Sequence, residues 1–228
     1  MQALSREATS DCEAGRACNC ATKIAPAIVP NTYTNSVIKK DLIMEKNISL
    51  PIDKETISEL HSGDYLYLTG TIYTARDAAH KRMYEAIGRG EELPFDISGK
   101  FIYYLGPTPA KPGMVIGSAG PTTSSRMDKY TPELLSRGLS GMIGKGKRSK
   151  DVIDSIVENG AVYMAAVGGA GALLSKCIKS SEVIAYDDLG TEAIRKLYVE
   201  NLPVIVIVDS HGNNLYESAV EDFLSSQN

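Results

Sequence analysis

With 228 residues and an apolar content of 43%, the chain is long enough to bury one sizeable hydrophobic core. A net charge of −4, without a dense run of lysine and arginine, argues against a nucleic-acid-binding surface. The most apolar segments, 161–172 and 202–208, are far shorter than the roughly 20 residues of a membrane span. The N-terminal residues lack the basic start and apolar stretch of a secretory signal. We therefore expect a soluble, cytoplasmic protein.

The N-terminal region, residues 1–43, shows no sustained periodicity of either helix or strand. The lack of periodicity predicts a poorly structured extension, and the folded domain is expected at residues 44–228. Three of the four cysteines lie in the extension, at Cys12, Cys18 and Cys20. Their spacing lacks the paired C-x2-C pattern of a structural zinc site, so no metal is assigned to them.

Helices and strands are predicted to alternate along the folded domain. The predicted helices are 55–60 (capped by Asp53), 75–87 (ended by Gly88), a segment through Leu134, Leu135 and Leu139, 150–158, 171–178 and 192–200. The predicted strands are 65–73 (bent at Gly70), 101–105, 114–116, 142–143, 161–167, 183–186 and 202–208. This alternation predicts an α/β layered domain, and the fully apolar runs predict strands buried on both faces.

The most distinctive stretch is Gly120–Met127, in which four consecutive hydroxyl side chains lie between a Gly-Pro turn and Arg126. Hydroxyl residues after a turn favour a helix N-terminus, whose unpaired N–H groups can bind an anion. Arg126 could add a two-pronged donor for a carboxylate or phosphate. The alternative is an ordinary capped helix whose arginine faces water.

Two other basic residues lie in comparable positions. Arg76 follows a predicted strand and opens a helix, and Lys145 lies in a glycine-rich loop. Because sites in layered α/β folds gather at strand ends and helix starts, these cations and Arg126 are expected to meet the hydroxyls of Thr122 and Thr123. Such a set suits a small dianion, for example a dicarboxylate.

Two further residues of the helix at 75–87, Asp77 and His80, are also possible site residues. His80 could act as a proton donor or acceptor, or could lie on the solvated side of the helix. The glycine clusters at 144–146 and 168–171 lack the spacing of a phosphate loop or a dinucleotide fingerprint. Tight backbone packing explains the second cluster better.

Several of these segments occur in one order that resembles a known family. They are residues 69–82, Gly106-Pro107, 120–128, 144–146, Gly168-Gly169 and 188–193. Together they resemble the β subunit, or C-terminal domain, of iron–sulfur (class I) fumarate hydratases and L-tartrate dehydratases. The resemblance covers about residues 45–217, and the segment before Met44 has no counterpart in it.

The resemblance implies a swivelling β/β/α domain in a single folded unit. It also implies a [4Fe–4S] cluster that is held by three cysteines of a partner α subunit rather than by this chain. By motif, Arg76, Arg126, Lys145 and Thr123 correspond to contacts with the substrate carboxylates. Thr122 corresponds to the hydroxyl near the carbon that loses its proton, with Lys145 or an α-subunit carboxylate as its activating neighbour.

The expected function is therefore that of the β subunit of a hydro-lyase that interconverts fumarate and (S)-malate, a reaction of the tricarboxylic acid cycle. The resemblance implies activity only with the α subunit, in a heterotetramer or in a homodimer formed through this domain. One alternative is an L-tartrate dehydratase of the same architecture. Another is a non-catalytic binding protein on the same fold, against which the intact set of site residues argues.

Overall fold

A computed structural model describes residues 45–225, apart from the side chain of Asp222. The predicted extension at 1–43, with its three cysteines, lies outside the described residues. The strands in this range are β1 (Glu45–Ser49), β2 (Tyr65–Thr74), β3 (Phe101–Tyr103), β4 (Gly141–Gly144), β5 (Val162–Ala165), β6 (Ile178–Ala185) and β7 (Ile194–Val208). The helices are α1 (Lys54–Ser58), α2 (Asp77–Gly88), α3 (Thr131–Ser136), α4 (Lys150–Asn159), α5 (Gly171–Cys177) and α6 (Leu215–Ser225), with 3-10 helices at Ser124–Met127 and Asp187–Glu192.

The strands form one sheet in the order β1-β2-β3-β4-β5-β7-β6, and an extra pairing of β2 with β7 closes it into a small barrel. Strands β1 to β5 pair in parallel, whereas β7 runs antiparallel to β2, β5 and β6. The mixed α/β class is confirmed. The sheet, however, closes on itself through β2 and β7 instead of lying open between helical layers, and β1 and β6 lie outside the closed ring with one neighbouring strand each.

Strand β2 carries the alternation that its sequence predicts. Leu66, Leu68 and Ile72 are fully buried inside the barrel, and the residues between them are half-buried. The predicted bend at Gly70 is confirmed, because the register with β7 shifts there and φ of Gly70 is +136°. A side chain at this position would overlap the backbone of Leu50. Strands β3 and β4 are buried on both faces, as their apolar runs predict.

The predicted helix at 192–200 is wrong, because these residues belong to the 3-10 helix that ends at Glu192 and to the first half of β7. Leu197 and Val199 are buried and their neighbours are exposed, which is the pattern of a half-buried strand. Register shifts in the pairing with β6 interrupt the alternation near Ile194. The interrupted pattern resembles helical spacing over this short window.

Two other predicted elements also differ from the structure. Residues 114–116 form a loop instead of a strand, because Met114 and Val115 are each half exposed and only Ile116 is buried. The predicted helix through Leu139 is split into a 3-10 helix and the short α3, which ends before Leu139. Strand β1 and helix α6 were not predicted.

Candidate active site

Functional side chains gather where the parallel strands β2 to β5 end. Because parallel strands expose their carboxyl ends at one edge of the sheet, the segments that follow them come together there. The segment 121–126 crosses this edge. Pro121 pairs with Leu105 after β3, and Thr123 pairs with Lys145 after β4. The Thr122 N–H also donates to the Tyr104 carbonyl at 2.8 Å.

Arg76 and Arg126 meet at a shared carboxylate, that of Asp77. Arg76 Nη2 lies 3.6 Å from Asp77 Oδ2, and Arg126 Nε lies 3.3 Å from Asp77 Oδ1. The expected convergence of the two arginines is therefore present, with an acidic residue between them. The side chain of Arg126 is 48% exposed and that of Arg76 is 22% exposed, so both remain accessible from the surface.

A second carboxylate, that of Glu192, also contacts Arg76. Glu192 Oε1 lies 3.3 Å from Arg76 Nη2, and its Oε2 accepts a hydrogen bond from the Ala78 N–H at 2.8 Å. Sequence reasoning missed Glu192 because it assigned this residue to the start of a helix. The only sequence signal was that the segment 188–193 is one of the family-like motifs.

The backbone of Lys145 is fixed by a short relay of hydrogen bonds. Its N–H donates to Ser124 Oγ at 3.0 Å, and Ser124 Oγ lies 2.9 Å from the Tyr163 hydroxyl. Tyr163 in turn donates to the Gly146 carbonyl at 2.8 Å. Burial raises the pKa of Tyr163, so the donor stays protonated. The relay joins the segment 121–126 to the loop after β4 and leaves the Lys145 side chain exposed.

The four hydroxyl residues of the central stretch therefore have different surroundings. Ser124 is fully buried, and Gly144 is required beside it because a side chain there would overlap its Oγ. Thr123 and Ser125 are exposed, and Thr122 is partly buried. The hydroxyl that anchors the site is thus Ser124, which sequence reasoning did not separate from its neighbours.

The helix start predicted within the hydroxyl-rich stretch is present only as a short 3-10 helix, with Thr123 at its N-cap position. A 3-10 helix of four residues begins at Ser124, and Thr123 makes no side-chain capping bond to it. The Ser124 N–H instead donates to the Lys145 carbonyl at 2.9 Å. The expected side-chain cap is therefore not formed, and the Ser124 N–H is not free to bind an anion. The candidate anion-binding groups are therefore the side chains of Arg76, Arg126 and Lys145.

His80 lies in the core instead of in the site. It is fully buried, its Nδ1 lies 2.9 Å from the Arg76 carbonyl, and its ring stands edge-on to Tyr104 at 5.2 Å. Because a carbonyl only accepts, Nδ1 carries the proton and donates it. Burial lowers the pKa of His80 to about 4, so the ring is neutral at pH 7. The solvated helix face that was the alternative for His80 is also excluded.

Beneath the site, Arg148 is held in a buried network. Its side chain is 0% exposed, Nε donates to Asp128 Oδ1 at 2.7 Å, and Nη2 donates to Thr131 Oγ1 at 2.8 Å. The guanidinium lies over the rings of Tyr163 and Tyr104, at 5.0 and 5.4 Å from their centroids. This network supports the same Tyr163 whose hydroxyl belongs to the Lys145 relay.

The described residues offer no metal-binding cluster of their own. In residues 45–225 there is no group of three or more histidine, cysteine, aspartate or glutamate side chains that could hold a metal ion. The cysteine in this range, Cys177, lies in α5 with a free thiol. No described helix has the length and apolarity that a membrane span requires.

The arrangement as a whole is suited to a carboxylated ligand. Three cations, Arg76, Arg126 and Lys145, share one edge with two carboxylates, Asp77 and Glu192. The formal sum of these five charges is +1. A small dianion would therefore meet an excess of positive charge together with nearby hydroxyl donors.

Comparison with known proteins identifies a protein family that matches most of this chain. The sequence model of the family described as "Fumarase C-terminus" matches residues 21–219. The match begins inside the segment 1–43, so the likeness extends further toward the N-terminus than the motifs alone indicate.

Individual relatives fall into two groups by length. The chain is 41% identical over 172 residues to the "Putative L(+)-tartrate dehydratase subunit beta" of Methanocaldococcus jannaschii, a match that covers 73% of this chain and 88% of the relative. It is 44% identical over 157 residues to "Fumarate hydratase class I, anaerobic" of Escherichia coli, covering 68% of this chain and 29% of the relative. "Fumarate hydratase 2" of Leishmania major is 38% identical over 178 residues, covering 76% of this chain and 31% of that protein. The chain thus spans most of the separate subunit but less than a third of the two longer enzymes.

Proposed function

This chain belongs to the fumarase C-terminus family, and on that premise we propose that it is the β subunit of a hydro-lyase that interconverts fumarate and (S)-malate. The M. jannaschii relative is named as a separate β subunit, and the fumarate hydratases contain the matched region as part of a longer chain. A partner α subunit would supply the remainder of the enzyme. We further propose that the barrel serves as the swivelling β/β/α domain of the assembly.

The observation that carries the proposal is the position of the segment 121–126. In this segment Thr122 directly precedes Thr123, which pairs with Lys145, and the same segment carries Arg126, which shares Asp77 with Arg76. A dicarboxylate bound by the cations would lie beside the Thr122 hydroxyl. A proton transfer next to a carboxylate requires such proximity of the hydroxyl to the bound ligand.

The chemistry divides between binding and proton transfer. Hydration adds a hydroxyl group to one carbon of fumarate and a proton to the neighbouring carbon, and the reverse reaction removes both. Removing the proton builds negative charge beside a carboxylate, which Arg126 and Lys145 would stabilise. A threonine hydroxyl is a poor base on its own, so Thr122 needs an activating neighbour. We propose Lys145 or an α-subunit carboxylate for that role.

The [4Fe–4S] cluster that the family resemblance implies does not fit the described residues of this chain. A cluster needs three or four thiolates, and Cys177 is the cysteine in residues 45–225. We propose that the α subunit binds the cluster, and no step assigned here to Thr122, Arg126 or Lys145 passes through it.

L-tartrate dehydration is the second candidate function. It is favoured by the relative that matches over 88% of its own length, which is named as a tartrate dehydratase subunit. Tartrate differs from malate by one more hydroxyl, and the groups that select between them can belong to the α subunit. The identity of the substrate therefore has to be measured on the assembled enzyme.

Reconstitution tests the proposed function directly. The chain is co-expressed with a candidate α subunit from the same genome, and turnover is measured with fumarate, malate and both tartrate enantiomers under anaerobic conditions. We expect turnover of malate and fumarate by the pair and none by this chain alone. Preferential turnover of L-tartrate would select the second candidate, and a pair inactive on all four would reject the hydro-lyase assignment.

The Thr122→Val variant tests the assigned chemistry. Loss of a proton-transfer hydroxyl should lower kcat of the pair by about 10²–10⁴-fold, with little change in substrate affinity. The melting temperature should be almost unchanged, because the helix that follows begins at Ser124 with Thr123, and not Thr122, at its N-cap position. Exchange of the malate C3 proton with solvent should slow in step with kcat. Full exchange in this variant would assign the base to another residue, such as one from the α subunit.

A further inference from the structure

We propose that Glu192 is a positioning residue that fixes the guanidinium of Arg76 in the orientation in which it receives a substrate carboxylate. The inference rests on the proposed function, since it concerns the substrate-binding role of Arg76. Neither the sequence analysis nor the family likeness assigns Glu192 a role. The geometry around its two carboxylate oxygens does so.

The residues directly after Glu192 are tied to the strand that leads into Arg76. Thr74, the last residue of β2, donates its hydroxyl to the Ala193 carbonyl at 3.3 Å and accepts from the Arg195 N–H at 3.0 Å. Thr74 is fully buried, so both bonds are shielded from water. These bonds fix the position of the residues before Arg76 relative to the residues after Glu192.

The carboxylate of Glu192 has two separate partners. Oε2 accepts the Ala78 N–H at 2.8 Å, one of the free N–H groups in the first turn of α2. Oε1 lies 3.3 Å from Arg76 Nη2. Because the first bond fixes the carboxylate, the second contact fixes the guanidinium. On its other side the guanidinium packs on Gly106, where any side chain would overlap Nη1.

The other nitrogen donors of the Arg76 guanidinium take no part in these ion pairs. Both of its described ion pairs are made through Nη2, whereas Nε is buried and has no hydrogen-bond partner within residues 45–225. A buried N–H without a partner is costly, and a carboxylate ligand would satisfy it after a shift of the side chain that exposes Nε. Glu192 thus holds one corner of the guanidinium and leaves another without a partner.

A neighbouring ion pair shows that Glu192 is not needed merely to attach its segment to α2. Asp188 accepts two hydrogen bonds from Arg82, at 2.8 Å each, and joins the same two segments at the surface. The Asp188 side chain is 65% exposed, against 24% for Glu192. Asp188 is therefore a matched control, a carboxylate on the same segment that holds an arginine outside the site.

The test compares Glu192→Gln with Asp188→Asn in the assembled enzyme. Glutamine keeps the length and an acceptor for the Ala78 N–H but removes the charge that holds Arg76. We expect KM to rise roughly 10- to 100-fold with kcat changed by less than about threefold, since a binding group has been misplaced. Asp188→Asn should leave both constants at their wild-type values. An unchanged KM in Glu192→Gln would overturn the inference even though the wild-type enzyme is active.

A double-mutant cycle and a spectrum complete the test. If Glu192 acts through Arg76, the effects of Glu192→Gln and Arg76→Lys on KM should be strongly non-additive. In the isolated chain, the ¹H–¹⁵N signal of Arg76 Nε should shift in Glu192→Gln and stay in place in Asp188→Asn. This measurement needs no turnover, so it decides on Glu192 even if the hydro-lyase assignment fails. An Arg76 signal that is identical in wild type and Glu192→Gln would reject the positioning role.

Discussion

Arg148 and Arg76 are two arginines on one domain, each paired with an aspartate, yet their surroundings differ. Arg148 has a 0% exposed side chain and gives hydrogen bonds to Asp128 and Thr131 at 2.7 and 2.8 Å. Arg76 has longer contacts, 3.6 Å to Asp77 and 3.3 Å to Glu192, and its buried Nε is unpartnered within residues 45–225.

The difference separates a structural cation from one available to a ligand. A buried guanidinium whose donors are satisfied has no capacity for another anion, and its removal leaves a buried charge behind. A guanidinium with long contacts and a free donor keeps that capacity at a cost to stability. By this criterion Arg148 supports the fold, and Arg76 belongs to the site.

The largest expected effect is on stability. Arg148→Met should lower the free energy of unfolding by about 3–5 kcal/mol, because Asp128 loses its buried partner. Arg76→Met should lower it by about 1 kcal/mol or less, since its contacts are long and partly hydrated. Urea denaturation of both variants measures the difference. Equal losses would show that the two arginines do not differ in the way their contacts indicate.

The next effect concerns His80, which lies between the two arginines. Its pKa of about 4 in the folded chain is below the ordinary value of 6.5, so the unfolded chain binds the extra proton first as pH falls. Stability should therefore be lost between pH 6.5 and 4, by about 3 kcal/mol in total. The loss should be much smaller in His80→Gln, as followed by unfolding free energies across this pH range. Parallel pH profiles for the two proteins would show that His80 is not the group responsible.

A smaller effect is expected when Arg126 is replaced by lysine in the assembled enzyme. The charge is kept but the planar fork is lost, so kcat/KM should fall by about 1.5–3 kcal/mol. The side chain is 48% exposed, and the stability of the chain should barely change. Steady-state kinetics with matching thermal melts checks both halves of this prediction. Wild-type kinetics would mean that Arg126 is a solvated residue without a ligand contact.

The smallest effect is expected for Gly106→Ala. The added methyl group would overlap Arg76 Nη1, the far end of a flexible side chain, which can move at a cost of about 0.5–1.5 kcal/mol. We expect KM to rise about tenfold or less while the melting temperature stays within a few degrees. Kinetics and calorimetry of the pair measure the two quantities. A large loss of stability would instead place Gly106 among the structural residues.

The sequence predicted a structural feature correctly where that feature depends mainly on a local pattern of residues. The alternation of β2 and its Gly70 bend were predicted because every second side chain enters the barrel. The convergence of Arg76 and Arg126 was expected from their positions after predicted strands, although the strand predicted before Arg126, at 114–116, is a loop. The roles of these residues in substrate binding stay predictions that the proposed experiments test.

The features that could not be predicted from the sequence depend on contacts between residues far apart in the chain. The bond from Ala78 to Glu192 joins residues 114 positions apart, and no local pattern marks such a pair. Ser124 differs from the hydroxyl residues beside it only because Gly144 lets it approach β4. The first half of β7 alternates only from Lys196 onward, and its pairing with β6 shifts register near Ile194. In each case the structure of the residue depends on the strand or loop that packs against it.

Closure of the barrel by β7 also has a consequence for the order of folding. The pairing of β2 with β7 joins residues far apart in sequence, from Thr74 with Arg195 to Tyr65 with Ile205, so loop closure over most of the domain must precede it. On the ribosome, β2 therefore emerges long before its antiparallel partner is made. Until then, one edge of β2 remains an open template for other strands. The nascent chain is consequently most prone to aggregation in the interval between the synthesis of β2 and that of β7.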